Sequence, residues 1–320
     1  MVIGSSAVLV TLPACRSVGM RGRDEQVRRH VDRGEALFEQ NDLDQALVAF
    51  EQAAALDPDR PEVQSRIGTI YRKMGDFRRA ITAFSKAVRR DPYSVYDLFN
   101  LAELYQLTNR LADAVQAYLA TIDIAPDHYD ARMGLGFCYQ QLREIDLAVE
   151  QFEAAARIRP DDATAYVNLG VALDAQGKHY EAISAYNQAL ERDAHQPRVL
   201  VNRAHTYMNQ RRFRSALADL EAAVEMAPKL AAAHEALGYC LFRMKRYIES
   251  QIAYTDALAL DPRLAKAHVG LGSIKMIQYI KNKSRTDIRD AALEHWHRAL
   301  EADPDQPRVR ALIKKFSPDA

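Results

Sequence analysis

The sequence predicts an all-α chain: a solenoid of about eight stacked helix–turn–helix units closed by a C-terminal capping helix. Three observations carry this. Proline returns every 34 residues, at Pro58, Pro92, Pro126, Pro160, Pro228 and Pro262; Ala194 fills the one gap and Pro304 follows after a longer step of 42. Within each period, tiny, small, bulky and small residues recur in fixed order. The repeats also consume the chain, leaving about 26 residues before them and 14 after, too few for a second core.

The units run 27–60, 61–94, 95–128, 129–162, 163–196, 197–230, 231–264 and 265–306. Early in each stands a tiny residue: Gly34, Gly68, Ala102, Gly136, Gly170, Ala204, Gly238 or Gly272. A small residue follows twelve positions later, from Ala46 to Ser250, then a bulky one: Phe50, Phe84, Tyr118, Phe152, Tyr186, Leu220 or Tyr254. Spacings of three and four place these on one helix stripe. The small residues let two backbones approach, and the bulky ones fill the junction of three helices. Between the two helices of a unit stand Asn41, Gly75, Asn109 and Gly177, which tolerate a left-handed residue; Arg143, Arg211 and Lys245 hold the same place under strain. The recurring proline ends the second helix, because the residue before it is pushed out of helical geometry. Pro61, Pro197 and Pro307 suit the first turn of the next helix. The last unit carries about eight extra residues near 276–287, read as either a partner-specific loop or a longer helix pair. Residues 307–316 begin like another first helix and are expected to cap the stack, with 317–320 as a tail.

This order of sizes resembles the tetratricopeptide repeat family, most clearly over Ala163–Gly170 (ATAYVNLG) and Ala131–Tyr139 (ARMGLGFCY). The resemblance covers residues 27–306. It implies a right-handed superhelical solenoid whose concave side is lined by the first helices, and a protein-binding rather than catalytic role. The second, fifth, sixth, ninth, twelfth and thirteenth residues of a unit would face that groove. They nominate Tyr96, Phe99 and Asn100; Phe137 and Gln140; Asn168 and Val171; Asn202 and His205; and Tyr239 and Phe242, with Glu235 beside them. Asn100, Asn168 and Asn202 share one position, and an amide there offers a donor and an acceptor to an extended peptide backbone. Packing between adjacent helices is the other reading of these asparagines and aromatics.

Lysine plus arginine and aspartate plus glutamate each number 43, so the chain is formally neutral. That argues against nucleic-acid binding as the main function. The charge is uneven: residues 61–94 hold eight basic and three acidic side chains, whereas 95–196 hold seven basic and sixteen acidic. Solvated outer faces account for most of this pattern.

No phosphate-cradling glycine loop, paired CxxC, HExxH or GxSxG occurs. His234 and His268 hold equivalent places and are read as core residues; His295 and His297 point to different helix faces and do not form a chelating pair. Cys138 and Cys240 are read as buried small hydrophobes. We expect no enzyme activity, no cofactor and no metal.

The first residues add a second theme. Val2–Ala14 is apolar and uncharged, of signal-peptide rather than membrane-spanning length. Leu12–Cys15 (LPAC) resembles a bacterial lipoprotein signal, which implies a signal peptide over 1–14, lipid on Cys15, a flexible tether over 15–26 and anchorage to the cell envelope membrane. The alternative is an uncleaved apolar tail on a cytosolic scaffold. The leading reading is a membrane-anchored adaptor holding an extended peptide or helix of a partner. A noncatalytic subunit delivering substrates to a separate enzyme is a third reading.

Overall fold

The computed structural model describes residues 14–317, with side chains from residue 22 onward. These residues form helices and no strand. The described residues fall into two compact units, divided between Glu144 and Ile145. The first holds α1 (Ala14–Glu39), α2 (Leu43–Leu56), α3 (Pro61–Lys73), α4 (Phe77–Arg90), α5 (Val95–Leu107), α6 (Leu111–Ile124) and α7 (Tyr129–Gln141). The second holds α8 (Ile145–Ile158), α9 (Ala163–Ala175), α10 (His179–Arg192), α11 (Pro197–Asn209), α12 (Phe213–Met226), α13 (Ala231–Arg243), α14 (Tyr247–Leu260), α15 (Ala265–Lys281), α16 (Thr286–Ala302) and α17 (Pro307–Phe316).

Helices pair as the periodicity requires. From α3 to α13 every first helix has 13 residues, and from α2 to α14 every second helix has 14. The bulky residues Phe50, Phe84, Tyr118, Phe152, Tyr186, Leu220 and Tyr254 are at most 2% exposed, and Trp296 takes the same role in the last pair. Each such side chain contributes roughly 2–3 kcal/mol by burial. The turn positions of the first seven helix pairs are left-handed: Asn41, Gly75, Asn109, Arg143, Gly177, Arg211 and Lys245 have φ between 58° and 79°. The left-handed residue lets the chain reverse within about three residues, and three of the seven sites accept the strain of a long side chain there.

The proline also leaves a carbonyl at the helix C-terminus that needs a donor. The fourth residue of the following first helix supplies it in several repeats. Arg132 Nε donates to the Pro126 carbonyl at 2.8 Å, and Arg310 donates to that of Pro304. His234 and His268 place Nε2 at 2.9 Å and 3.1 Å from the carbonyls of Pro228 and Pro262. Both histidines are buried, as a core role requires. Cys138 and Cys240 are free and fully buried, and burial pushes each thiol up to about 11.

One expectation changes. The stretch 15–26, expected as a flexible tether, lies within α1, which runs unbroken into the first helix of the first repeat. Of the two readings of the extra residues near 276–287, the longer helix pair is the one that forms: α15 and α16 are 17 residues each, longer by about a turn than their counterparts. The expected cap forms as α17, where Val309 is buried and the Phe316 ring lies 6.3 Å from that of Trp296. Residues 1–13 of the candidate signal peptide lie outside the described residues, as does the side chain of Cys15. Among the described residues, no helix is long and apolar enough to cross a membrane.

Candidate functional site

Within residues 145–320 the first helices of successive repeats pack directly on one another, α9 on α11, α11 on α13 and α13 on α15. Their outward positions therefore form one continuous surface. Where α11, α13 and α15 meet, a cavity of about 380 Å³ opens on it. Its lining includes His205 from α11; Glu235, Tyr239 and Phe242 from α13; and Lys266, Val269, Gly270 and Ser273 from α15. Tyr254 of α14 and Gln306 ahead of α17 complete it. His205, Tyr239 and Ser273 occupy the ninth place of three consecutive repeats, so the cavity follows the repeat register.

Its electrostatics follow from partial burial. Glu235 is half-buried, and desolvation raises its carboxyl above the ordinary range, opposed by the positive charge of Lys266. His205 is held below the ordinary imidazole range by burial and then by Lys266, with Asp174 acting the other way. The imidazole is thus neutral at pH 7. Tyr239 stands at the mouth, 38% exposed, its hydroxyl accepting a hydrogen bond from Arg243 Nη1 at 2.7 Å. Phe242 leans edge-on against Tyr247 at 5.6 Å.

Of the eleven residues nominated from sequence, the cavity brings together His205, Tyr239 and Phe242. Asn168, Val171 and Asn202 are half-buried on α9 and α11, in the same unit but outside the cavity. Asn168 Nδ2 donates to the Thr164 carbonyl at 2.9 Å, which ties the amide to its own helix. The remaining five lie in the first unit. There Asn100 is buried: Nδ2 donates to the Tyr96 carbonyl at 2.7 Å, and Oδ1 accepts from Arg72, which also pairs with Glu103 at 2.8 Å. Phe99 packs between Tyr118 (6.1 Å) and His128 (4.6 Å), so its ring serves the stack. Tyr96 is 51% exposed, with its hydroxyl 3.0 Å from Thr69 Oγ1. Phe137 and Gln140 are half-buried on α7.

Sequence reasoning missed Lys266, Val269, Gly270 and Ser273. The signal was present, because these are the second, fifth, sixth and ninth residues of the last repeat, the same register that nominated the others. It missed Tyr254 because that residue was assigned wholly to the core. Among the described residues, no group of three or more His, Cys, Asp or Glu stands close enough to hold a metal ion.

Family models described as tetratricopeptide repeat match residues 34–75, 65–129, 127–194 and 201–265. The chain is similar to the Hsp70-Hsp90 organizing protein of Triticum aestivum, 27% identical over 147 residues, which is 44% of this chain. It spans about a quarter of the length of that relative (25%). Among solved structures it is similar to MamA, with 26% identity and a TM-score of 0.52 over 53% of this chain and 93% of that one. The C-terminal part of a repeat protein from Cytophaga hutchinsonii superposes with a TM-score of 0.62 over 74% of this chain and 98% of that one. At 21% identity, that likeness is one of fold.

Proposed function

The chain belongs to the tetratricopeptide repeat family, and on that premise we propose that it is a non-enzymatic interaction scaffold. It holds an extended segment or a helix of a partner protein against its layer of first helices. The observation that carries this reading is the cavity of residues 145–320, where groove positions of three consecutive repeats converge. Its mixture of aromatic walls and a few polar groups is the composition of a recognition surface. A catalytic reading would need a nucleophile with an adjacent base and an orienting group. The lining offers none: Ser273 Oγ donates to the Val269 carbonyl of its own helix at 2.7 Å.

We further infer that the scaffold is held at a bacterial envelope membrane by lipid on Cys15. This reading rests on the apolar run ending in Leu12–Cys15. Membrane fractionation from the native cell, with intact mass of the recovered protein, tests it. A membrane-bound species beginning at Cys15 with added lipid mass is expected. A soluble species retaining Met1 makes the cytosolic scaffold the correct reading.

The groove is tested by cross-linking in the native cell, followed by isothermal titration of the cross-linked partner segment. An Asn168→Ala/Asn202→Ala variant is expected to bind at least about tenfold more weakly, a loss of about 1.4 kcal/mol. Unchanged affinity places the binding surface elsewhere.

A further inference from the structure

We propose that the cavity between α11, α13 and α15 is an anchor subsite for one aromatic side chain of an extended partner peptide, with Glu235 accepting a main-chain N–H beside it. The inference rests on the groove reading above and adds the chemistry of what the groove selects.

Size comes first. A dry cavity of about 150 Å³ already holds a benzene ring. At about 380 Å³, this one has room for a phenylalanine or tyrosine ring and the peptide unit that carries it. The walls suit a ring: Tyr239, Phe242 and Tyr254 offer faces and edges to an incoming aromatic, and Val269 adds a branched aliphatic. No side chain projects from Gly270, where the equivalent residue of the sixth repeat is Asn202. The ring of Tyr254 takes the space a side chain at Gly270 would need, within 2.3 Å of where a Cβ would stand, and there it becomes a wall of the cavity.

Charge narrows the occupant further. Glu235 and Lys266 sum to zero and His205 adds no charge, so a lysine or aspartate side chain would give up hydration on entry with no net opposing charge to compensate it. A neutral ring carries no such cost. Among the described residues, Glu235 accepts no hydrogen bond and makes no ion pair within 4 Å. Its oxygens are left to solvent, and the N–H of a bound backbone can take the place of that water. The position is suited to it: Glu235 is the fifth residue of its repeat, one turn of helix from Tyr239 at the mouth.

The test uses the full chain, labelled with 15N and observed by heteronuclear correlation spectroscopy. The probes are the N-acetyl methylamides of phenylalanine, alanine and lysine. The phenylalanine amide is expected to bind saturably, at least about tenfold more tightly than the alanine or lysine amide. Its shifts should be confined to α11, α13, α15, the middle of α14 around Tyr254 and the segment at Gln306. Ser273→Phe, which fills the cavity from within, should abolish those shifts, and Glu235→Gln should weaken binding severalfold while leaving the shifts in the same place. The helical circular dichroism spectrum shows that each variant folds. Absence of saturable shifts, equal binding of the three amides, or shifts that survive in folded Ser273→Phe each overturn the proposal. Failure of the groove reading is seen separately. If the cross-linked partner binds wild type and the asparagine variant alike, the groove is not its site, whereas the amide titration still decides what the cavity accepts. If the partner needs the asparagines but binds Ser273→Phe unchanged, the groove stands and the anchor subsite falls.

Discussion

The ring of Tyr254 occupies the space that any side chain at Gly270 would need: a Cβ there would lie 2.3 Å from both Cε2 and Cζ. The same relationship joins Tyr118 to Gly134, at 2.4 Å from Cζ. In these two junctions the sixth residue of the next repeat is a glycine that leaves room for the tyrosine ring; after Tyr186 the same position is Asn202. Gly270→Ala should therefore destabilise the chain by about 1–2 kcal/mol, since overpacking of about 1–3 kcal/mol outweighs the helix propensity that alanine adds. In a Tyr254→Leu background the clash is gone, and the same substitution should be neutral or stabilising. Urea denaturation of the four chains of this cycle measures the coupling, and additive effects would mean that the ring moves aside freely.

Arg203 and Asp219 form the most enclosed ion pair among the described residues. The guanidinium meets the carboxylate in a fork, Nε to Oδ2 at 2.8 Å and Nη2 to Oδ1 at 2.7 Å, with side-chain exposures of 18% and 10%. Nη1 reaches Asn187 on α10 at 2.6 Å, so one arginine fastens three helices. Asp219→Ala strands that arginine and should cost about 3–5 kcal/mol. Arg203→Met/Asp219→Leu removes both charges and should recover most of the loss. Thermal unfolding of the two variants distinguishes a pair that stabilises from one that merely must not be broken.

The last repeat should weaken in acid. His268 Nε2 faces the Pro262 carbonyl and must donate to it, which leaves its Nδ1 to accept the N–H of His295 Nδ1 at 3.1 Å. Burial first, then His268 and Lys275, pulls His295 down to about 4, with Glu294 opposing and Arg298 adding a small further push. An unfolded histidine titrates near 6.5. Below that pH the unfolded chain takes up a proton that the folded chain refuses until about 4. The stability is thus complete above about 6.5 and is lost as the pH falls toward 4, by at most about 1.4 kcal/mol per pH unit. His295→Gln keeps a donor for His268 without titrating. Its denaturation midpoint should vary less across this window than that of wild type, and parallel curves would show that other groups dominate.

The turns between helices offer the reverse case. Arg143, Arg211 and Lys245 hold φ of 66°, 58° and 62°, a conformation that costs a side-chain-bearing residue about 1 kcal/mol or more. At Lys245 the turn is closed by the backbone alone, whose N–H donates to the Phe242 carbonyl at 2.9 Å. Lys245→Gly should stabilise by about 0.5–1 kcal/mol after the larger entropy of unfolded glycine is counted. Gly177→Ala should destabilise by a similar amount. If Lys245→Gly lowers the urea midpoint, the lysine side chain makes a contribution that its turn geometry does not reveal.

Much of the fold is legible in the sequence. The period places the helices, the left-handed turns and the bulky residues from Phe50 to Tyr254, because each depends on neighbours three, four or twelve positions away in the same hairpin. The site is only partly legible. Phe99 and Asn100 have the right register for a groove, yet the ring is taken up by Tyr118 and His128 and the amide by Tyr96 and Arg72. All but Tyr96 lie outside the helix that carries Phe99 and Asn100, and nothing in the period says which of them a side chain will choose.

The sequence by itself determined the architecture: a repeated hairpin can bury its apolar stripe only against the next hairpin, so one period dictates the whole stack. Tertiary structure decided where that stack opens. A cavity needs a position that is empty and neighbours that do not fill it. Gly270 supplies the first, and the second is met because the Tyr254 ring, seated against Gly270, forms a wall and does not extend across the opening. That is a matter of packing between helices, where volume rather than periodicity is the constraint.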